Sequence, residues 1–471
     1  MCIRDSIVTS CRRKNLEISK PPGKPPLKTN VAHVVRGGNT LNVTGKLLIL
    51  ILPMTICLSC DCGSRVLLKT ADEGLPVEAL DRMNRTPLHA AAANGDTTLL
   101  TSLIERGAHP NTKDIYGSTP LHEAVVNGHS EVVTLLLAHG AEVDAVRSDG
   151  TSPLHIARKS ANQTIEDLLV SYGARDAPIA FPEITGEYLG QPMPGDAGVI
   201  FAPGIISTAE SRDLIEGFVD GGNRVIVWRY PNDFEGDWTR VPLILMEKNG
   251  NAWTAPYPSS LVGQPWFFNR EHVPDGERMI FAWTKNLDGT GPAGELYLWS
   301  STRERGEWTE PVRLDAPINQ GFDTWPSLSE DGSLFFFSRR EGGAGKADIY
   351  VSVPDNGEYT TVENLGAPIN TEHVEEDPFI APDGSYLLFD SDRPGGQGGL
   401  DLYIAYREKG GGWSEPVNLG DRINTEYSEC RVSVTPDGKY IFYTSSRTGN
   451  LDAYWVNANI ITELRPNEFN Q

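Results

Sequence analysis

Three carboxylates recur at one phase of the C-terminal half of the chain. Asp323, Glu375 and Glu429 each stand eight residues before an Asp-Gly step. Acids that converge on the mouth of a channel could hold a cation or a basic peptide segment. The matching positions further upstream are Arg212 and Phe267, so such a ring would be incomplete. Six of the nine histidines (His89, His109, His122, His129, His139, His155) lie close together in sequence. His89, His122 and His155 are 33 residues apart, which places one in each structural layer and makes them hydrogen-bonding residues rather than a coordination sphere. Gly342-Gly-Ala-Gly345-Lys346 lacks the leading glycine of a phosphate loop, because Arg340 stands there. No Gly-x-Ser-x-Gly or HExxH motif is present. Beyond residue 176 the only histidines are His272 and His373, which argues against a histidine general base there. No catalytic residue, metal ligand or cofactor is therefore expected.

The 471 residues allow about three domains. Acids outnumber bases 63 to 41, for a net charge of −22, which disfavours nucleic acid as a partner. The charge is uneven. Residues 1–62 hold nine of the bases, three of the acids and five of the six cysteines. Residues 1–46 show no hydrophobic period and read as a disordered or artefactual tail. After Lys46 comes LLILILPMTICLS, thirteen largely apolar residues, the length of a signal-peptide core and too short to span a bilayer. Ser59, Cys60 and Asp61 follow. The segment 47–62 resembles a bacterial lipoprotein signal, although Cys57 occupies the place where that motif carries leucine. The resemblance implies export and a lipid anchor at Cys60.

Thr86-Pro87-Leu88-His89, Thr119-Pro120-Leu121-His122 and Ser152-Pro153-Leu154-His155 are spaced by 33 residues, as are Gly107-Ala108, Gly140-Ala141 and Gly173-Ala174. Leu103, Leu136 and Leu169 keep the same phase. This period resembles the ankyrin repeat. Proline suits the first helical turn and glycine the left-handed end of the second helix. The resemblance implies an all-α solenoid over residues 66–176, with about three repeats and a preceding half-repeat whose helix would fall at 66–73. It also implies that the finger tips Asp114, Ile115, Tyr116, Arg147, Ser148 and Asp149 bind a protein partner.

A connector rich in Pro and Gly, read as a linker, spans 177–208. A second period of 51–56 residues follows. Asp-Gly steps at 220, 275, 331, 383 and 437 precede strand-like runs such as LFFFS and YLLFDS. Acid-apolar-Tyr units recur at 295, 348, 401 and 452, and Ala316-Pro-Ile-Asn319 returns as Ala367-Pro-Ile-Asn370 and, more loosely, Asp421-Arg-Ile-Asn424. Four short strands per unit make a propeller blade. The repeats resemble the TolB-type, WD-like propeller of bacteria. They imply an all-β propeller over 209–471, with five blades, or six if the connector and tail add strands. FAPGIIS or the tail YWVNANII would join the chain ends in the last blade.

The expected protein is thus a multidomain one that binds a protein or peptide partner without doing chemistry. It is expected to be a monomer in the periplasm or at the cell surface. The alternatives are an enzyme, a hydrolase or lyase with its site on the propeller face, and a cytosolic scaffold if 47–59 is not a signal.

Overall fold

A computed structural model describes residues 35–36, 39–40, 76–232, 243–258, 271–272, 278–283, 297–304 and 307–466. The signal-like segment, Cys60 and the half-repeat helix at 66–73 lie outside the described residues. The chain divides into two units. In the first, residues 3–58, Val35–Arg36 pairs antiparallel with Asn39–Thr40. The second, residues 59–471, holds both repeat systems.

The 33-residue period builds six helices: α1 (Pro87–Asn94), α2 (Thr97–Glu105), α3 (Pro120–Val126), α4 (Ser130–Ala138), α5 (Pro153–Lys159) and α6 (Gln163–Ser171). Proline opens α1, α3 and α5, where its missing N–H costs nothing. The histidines close a capping box at each of these ends. His89 Nδ1 accepts from the Thr86 N–H, so Nε2 carries the proton and donates to the Ser118 carbonyl, tying one repeat to the next. Gly107, Gly140 and Gly173 are left-handed, just past the second helix of each repeat. Leu88, Leu103, Leu121, Leu136, Leu154 and Leu169 are buried in one continuous core. Fingers at 82–84, 115–117 and 148–150 form a row: the Ile115 N–H donates to the Met83 carbonyl, and the Ser148 N–H to the Tyr116 carbonyl.

The remaining strands form five antiparallel blades. Blade 1 is built on Ser211–Val219, Arg224–Pro231 and Leu243–Asn249. Blade 2 is built on Glu271–His272, Arg278–Trp283 and Tyr297–Glu304. Blade 3 runs Asp323–Leu328, Leu334–Ser338, Asp348–Ser352 and Glu363–Asn364. Blade 4 runs Glu375–Ile380, Tyr386–Ser391, Asp401–Tyr406 and Val417–Asn418. Blade 5 has Glu429–Val434, Tyr440–Ser445 and Asp452–Asn457. Its fourth strand is Val199–Ile200, which lies directly before FAPGIIS. The ends of the chain therefore meet in the last blade. The tail YWVNANII supplies part of that blade's third strand and then turns into a short helix, α7 (Asn459–Glu463).

The connector 177–208 is woven into this structure. Ile184–Thr185 pairs with Ala252–Trp253 beside blade 1. Tyr188, Leu189, Phe201 and Ile206 are buried in one core with Phe218, Trp253, Phe442 and Trp455. Phe201 meets Phe442 edge-on at 4.9 Å.

The recurring Asn of the API-N motif has a clear task. Asn319, Asn370 and Asn424 each accept from and donate to the backbone of one third-strand residue, Leu298, Ile349 and Leu402 respectively. An amide side chain carries both a donor and an acceptor, so it substitutes for a neighbouring strand.

Candidate functional site

Asp323, Glu375 and Glu429 begin the innermost strands of blades 3, 4 and 5, and all three are fully buried. They do not open onto a shared cation cage. Each is held inside its own blade. The Asp323 carboxylate accepts from the N–H groups of Gln320 and Gly321 and pairs with Arg340 at 2.7 Å. Glu375 accepts from the Thr371 N–H and hydroxyl and from Ser391, and pairs with Arg393 at 3.2 Å. Glu429 repeats this with Thr425, Ser445 and Arg447, the last at 3.4 Å. The same arginines donate to the carbonyls of Ile318, Ile369 and Ile423 and stack on the tyrosine of the acid-apolar-Tyr unit: Tyr350, Tyr403 and Tyr454. A buried carboxylate so neutralised holds strands together.

Blade 1 carries a fourth copy, one residue beyond the position the spacing indicated. Asp213, not Arg212, is buried and pairs with Arg229 at 2.6 Å. Its backbone N–H donates to the Leu451 carbonyl, as Glu375 does to Ala347 and Glu429 to Leu400. Burial pushes the carboxyls of Asp213 and Glu429 upward, against their arginines. The legible signal was Ser-x-Arg, found at Ser338–Arg340, Ser391–Arg393 and Ser445–Arg447. It closes each second strand and supplies the counter-charge.

Two residues further along each of these strands lies a bulge with a non-glycine residue at positive φ: Trp325 (50°), Asp377 (49°) and Arg431 (57°). Such conformations cost about 1–3 kcal/mol each and need a rigid surround. The Arg431 guanidinium lies 4.7 Å over the Trp325 ring and 3.6 Å from Glu216. Blades 1, 3 and 5 thereby meet through side chains. Among the described residues, no group of three or more His, Cys, Asp or Glu side chains could hold a metal ion.

The finger row faces the propeller. Arg82 pairs with Glu426 at 2.8 Å and covers the Tyr427 ring. The Tyr116 hydroxyl donates to Asp452 Oδ2 at 3.1 Å, and Arg147 pairs with Glu210. Gly204 is needed at this contact: a side chain there would stand 2.9 Å from the Tyr116 carbonyl. Of the six finger-tip residues, Asp114, Tyr116 and Arg147 are buried, while Ile115, Ser148 and Asp149 are half-buried. These tips are committed, wholly or in part, within the chain.

Tyr116 also fills a gap in the blade pattern. Asp348 and Asp401 each accept from two loop N–H groups and from an outer-strand amide, Asn364 or Asn418, at 2.8 and 2.9 Å. The fourth strand of blade 5 is Val199–Ile200 and carries no such amide. Asp452 accepts instead from Thr448 and from the finger residue Tyr116.

A protein-family model described as ankyrin repeats (3 copies) matches residues 52–145 and, overlapping, 88–177. No curated protein matches the chain. The N-terminal helical part is an array of ankyrin repeats, and it is joined to a five-bladed propeller. Together they have the architecture of a protein-interaction molecule.

Proposed function

We propose that the chain is a non-catalytic binding protein of the bacterial cell envelope, exported and lipid-anchored at Cys60, whose propeller is TolB-like. With the finger tips turned inward, the partner surface moves to the outer side of the fingers. One observation carries this. Leu80, Lys113, Val146 and Ile179 recur at the repeat period, and all four are exposed. The three aliphatic members are 57%, 47% and 53% accessible. A column with an exposed aliphatic side chain in three of its four layers suits an extended protein segment that places apolar residues on those layers. The net charge of −22 favours a segment with basic flanks.

The test uses the full chain as bait beside two variants. Val146→Asp with Ile179→Asp should release the bound protein, whereas Val312→Asp, at an exposed propeller position, should retain it. A partner held equally by all three would refute the column as the binding surface.

A further inference from the structure

The contact between the finger row and the propeller rests on a buried carboxylate in an unusual position. Asp452 is fully buried. Its Oδ2 takes both hydrogen bonds, and among the described residues its Oδ1 has no hydrogen-bond partner. Blades 3 and 4 solve the same problem with three donors spread over both oxygens, so Asp452 is the least satisfied of the three described members of its series. The half-satisfied oxygen marks a carboxyl that gains by carrying a proton.

We infer that the Tyr116–Asp452 contact is an acid-tightened latch between the ankyrin array and the propeller, holding the finger row down at low pH and loosening it as pH rises.

The surroundings agree on the direction. Burial pushes the Asp452 carboxyl up to about 7, and the charge of Asp213 across the seam with blade 1 adds to this, against the donors Thr448 and Tyr116. On the finger side, burial lifts Asp114 to about 7, aided by Glu123 on α3 and opposed by Arg147 of the next finger. The other charged groups at the seam are already paired: Asp213 with Arg229, Glu210 with Arg147, and Glu429 with Arg447. Behind the finger, burial depresses His89 to about 4 and His122 to about 3, so both stay neutral through the range that matters. A carboxyl whose docked pKa exceeds its undocked value favours the docked state when protonated. The latch is therefore tightest in acid, weakens by up to about tenfold per pH unit as pH rises toward about 7, and is level above that.

Hydrogen exchange on the intact chain tests this, read on peptides covering 113–119 and 446–455 and corrected for intrinsic rates. Protection should fall between pH 5.5 and 7 and then stay constant to pH 8.5. Asp452→Asn, permanently neutral, should lose less protection as pH rises, retaining only the pH dependence that Asp114 contributes. The difference between wild type and variant isolates Asp452 from Asp114 and the histidines, which both proteins share. Tyr116→Phe keeps the carboxyl and removes its donor, so its midpoint should move upward. Protection that does not change with pH in the wild type overturns the latch. So does pH dependence in Asp452→Asn as large as that of the wild type, or, should that variant misfold, an unmoved midpoint in Tyr116→Phe.

Discussion

Replacing Arg393 with alanine isolates the device that recurs through the propeller. The change leaves the Glu375 carboxylate, 0% exposed, without its counter-charge. Removing one partner of a buried ion pair costs about 3–5 kcal/mol. Three donors remain on Glu375, namely the Thr371 N–H, the Thr371 hydroxyl and the Ser391 hydroxyl, which puts this part of the loss near the lower end. The guanidinium also lies 5.1 Å over both Phe389 and Tyr403, and each such contact is worth about 0.5–1 kcal/mol. The expected total is about 4 kcal/mol, read from urea unfolding at pH 7 by tryptophan fluorescence and far-UV circular dichroism. Glu375→Gln provides the second arm. With no charge left to neutralise, Arg393→Ala in that background should cost about 2 kcal/mol less, a coupling within the range for residues in one network. A single-variant cost below about 1 kcal/mol would refute the reasoning. An equal cost in both backgrounds would show that the arginine acts by packing and not by charge.

Leu121→Ala empties a fully buried ankyrin position and should cost about 2–5 kcal/mol, visible in calorimetry as a lowered transition for the helical part; an unmoved transition would contradict the assigned core. Asn370→Ala strips the donor and acceptor that cap Ile349 and should cost about 1–3 kcal/mol, whereas Thr361→Ala, at an exposed position of the same blade, serves as the neutral control in the same denaturation series. For export, expression in bacteria fed labelled palmitate should label the protein, and Cys60→Ser should abolish the label. Unlabelled protein confined to the cytosol would end that part of the proposal.

Repetition made much of the fold legible. The 33-residue spacing of Pro87, Pro120 and Pro153 and of Gly107, Gly140 and Gly173 is a local signal: each residue meets a backbone requirement of its own helix end. Asp-Gly hairpins and acid-apolar-Tyr strands mark blades in the same way. The candidate acids were visible as a phase, but their surroundings were not. Charge neutralisation depends on what folds back against a residue, and the arginines lie 17 or 18 positions later, across a hairpin. The fourth acid escaped the spacing because Asp213 stands seven, not eight, residues before its Asp-Gly step.

What the sequence by itself determined are the elements and their repetition, because helix ends, hairpin turns and strand alternation answer to residues a few places apart. Tertiary structure alone decided which surfaces stay free. Tyr116 reads as a binding tip, yet its hydroxyl meets Asp452, 336 residues away. Val199–Ile200 sits in a connector and becomes the last strand of the ring. Both follow from one physical fact. A ring must close and its last blade must be completed, and the groups that do this are drawn from wherever the chain passes, so no local period records them.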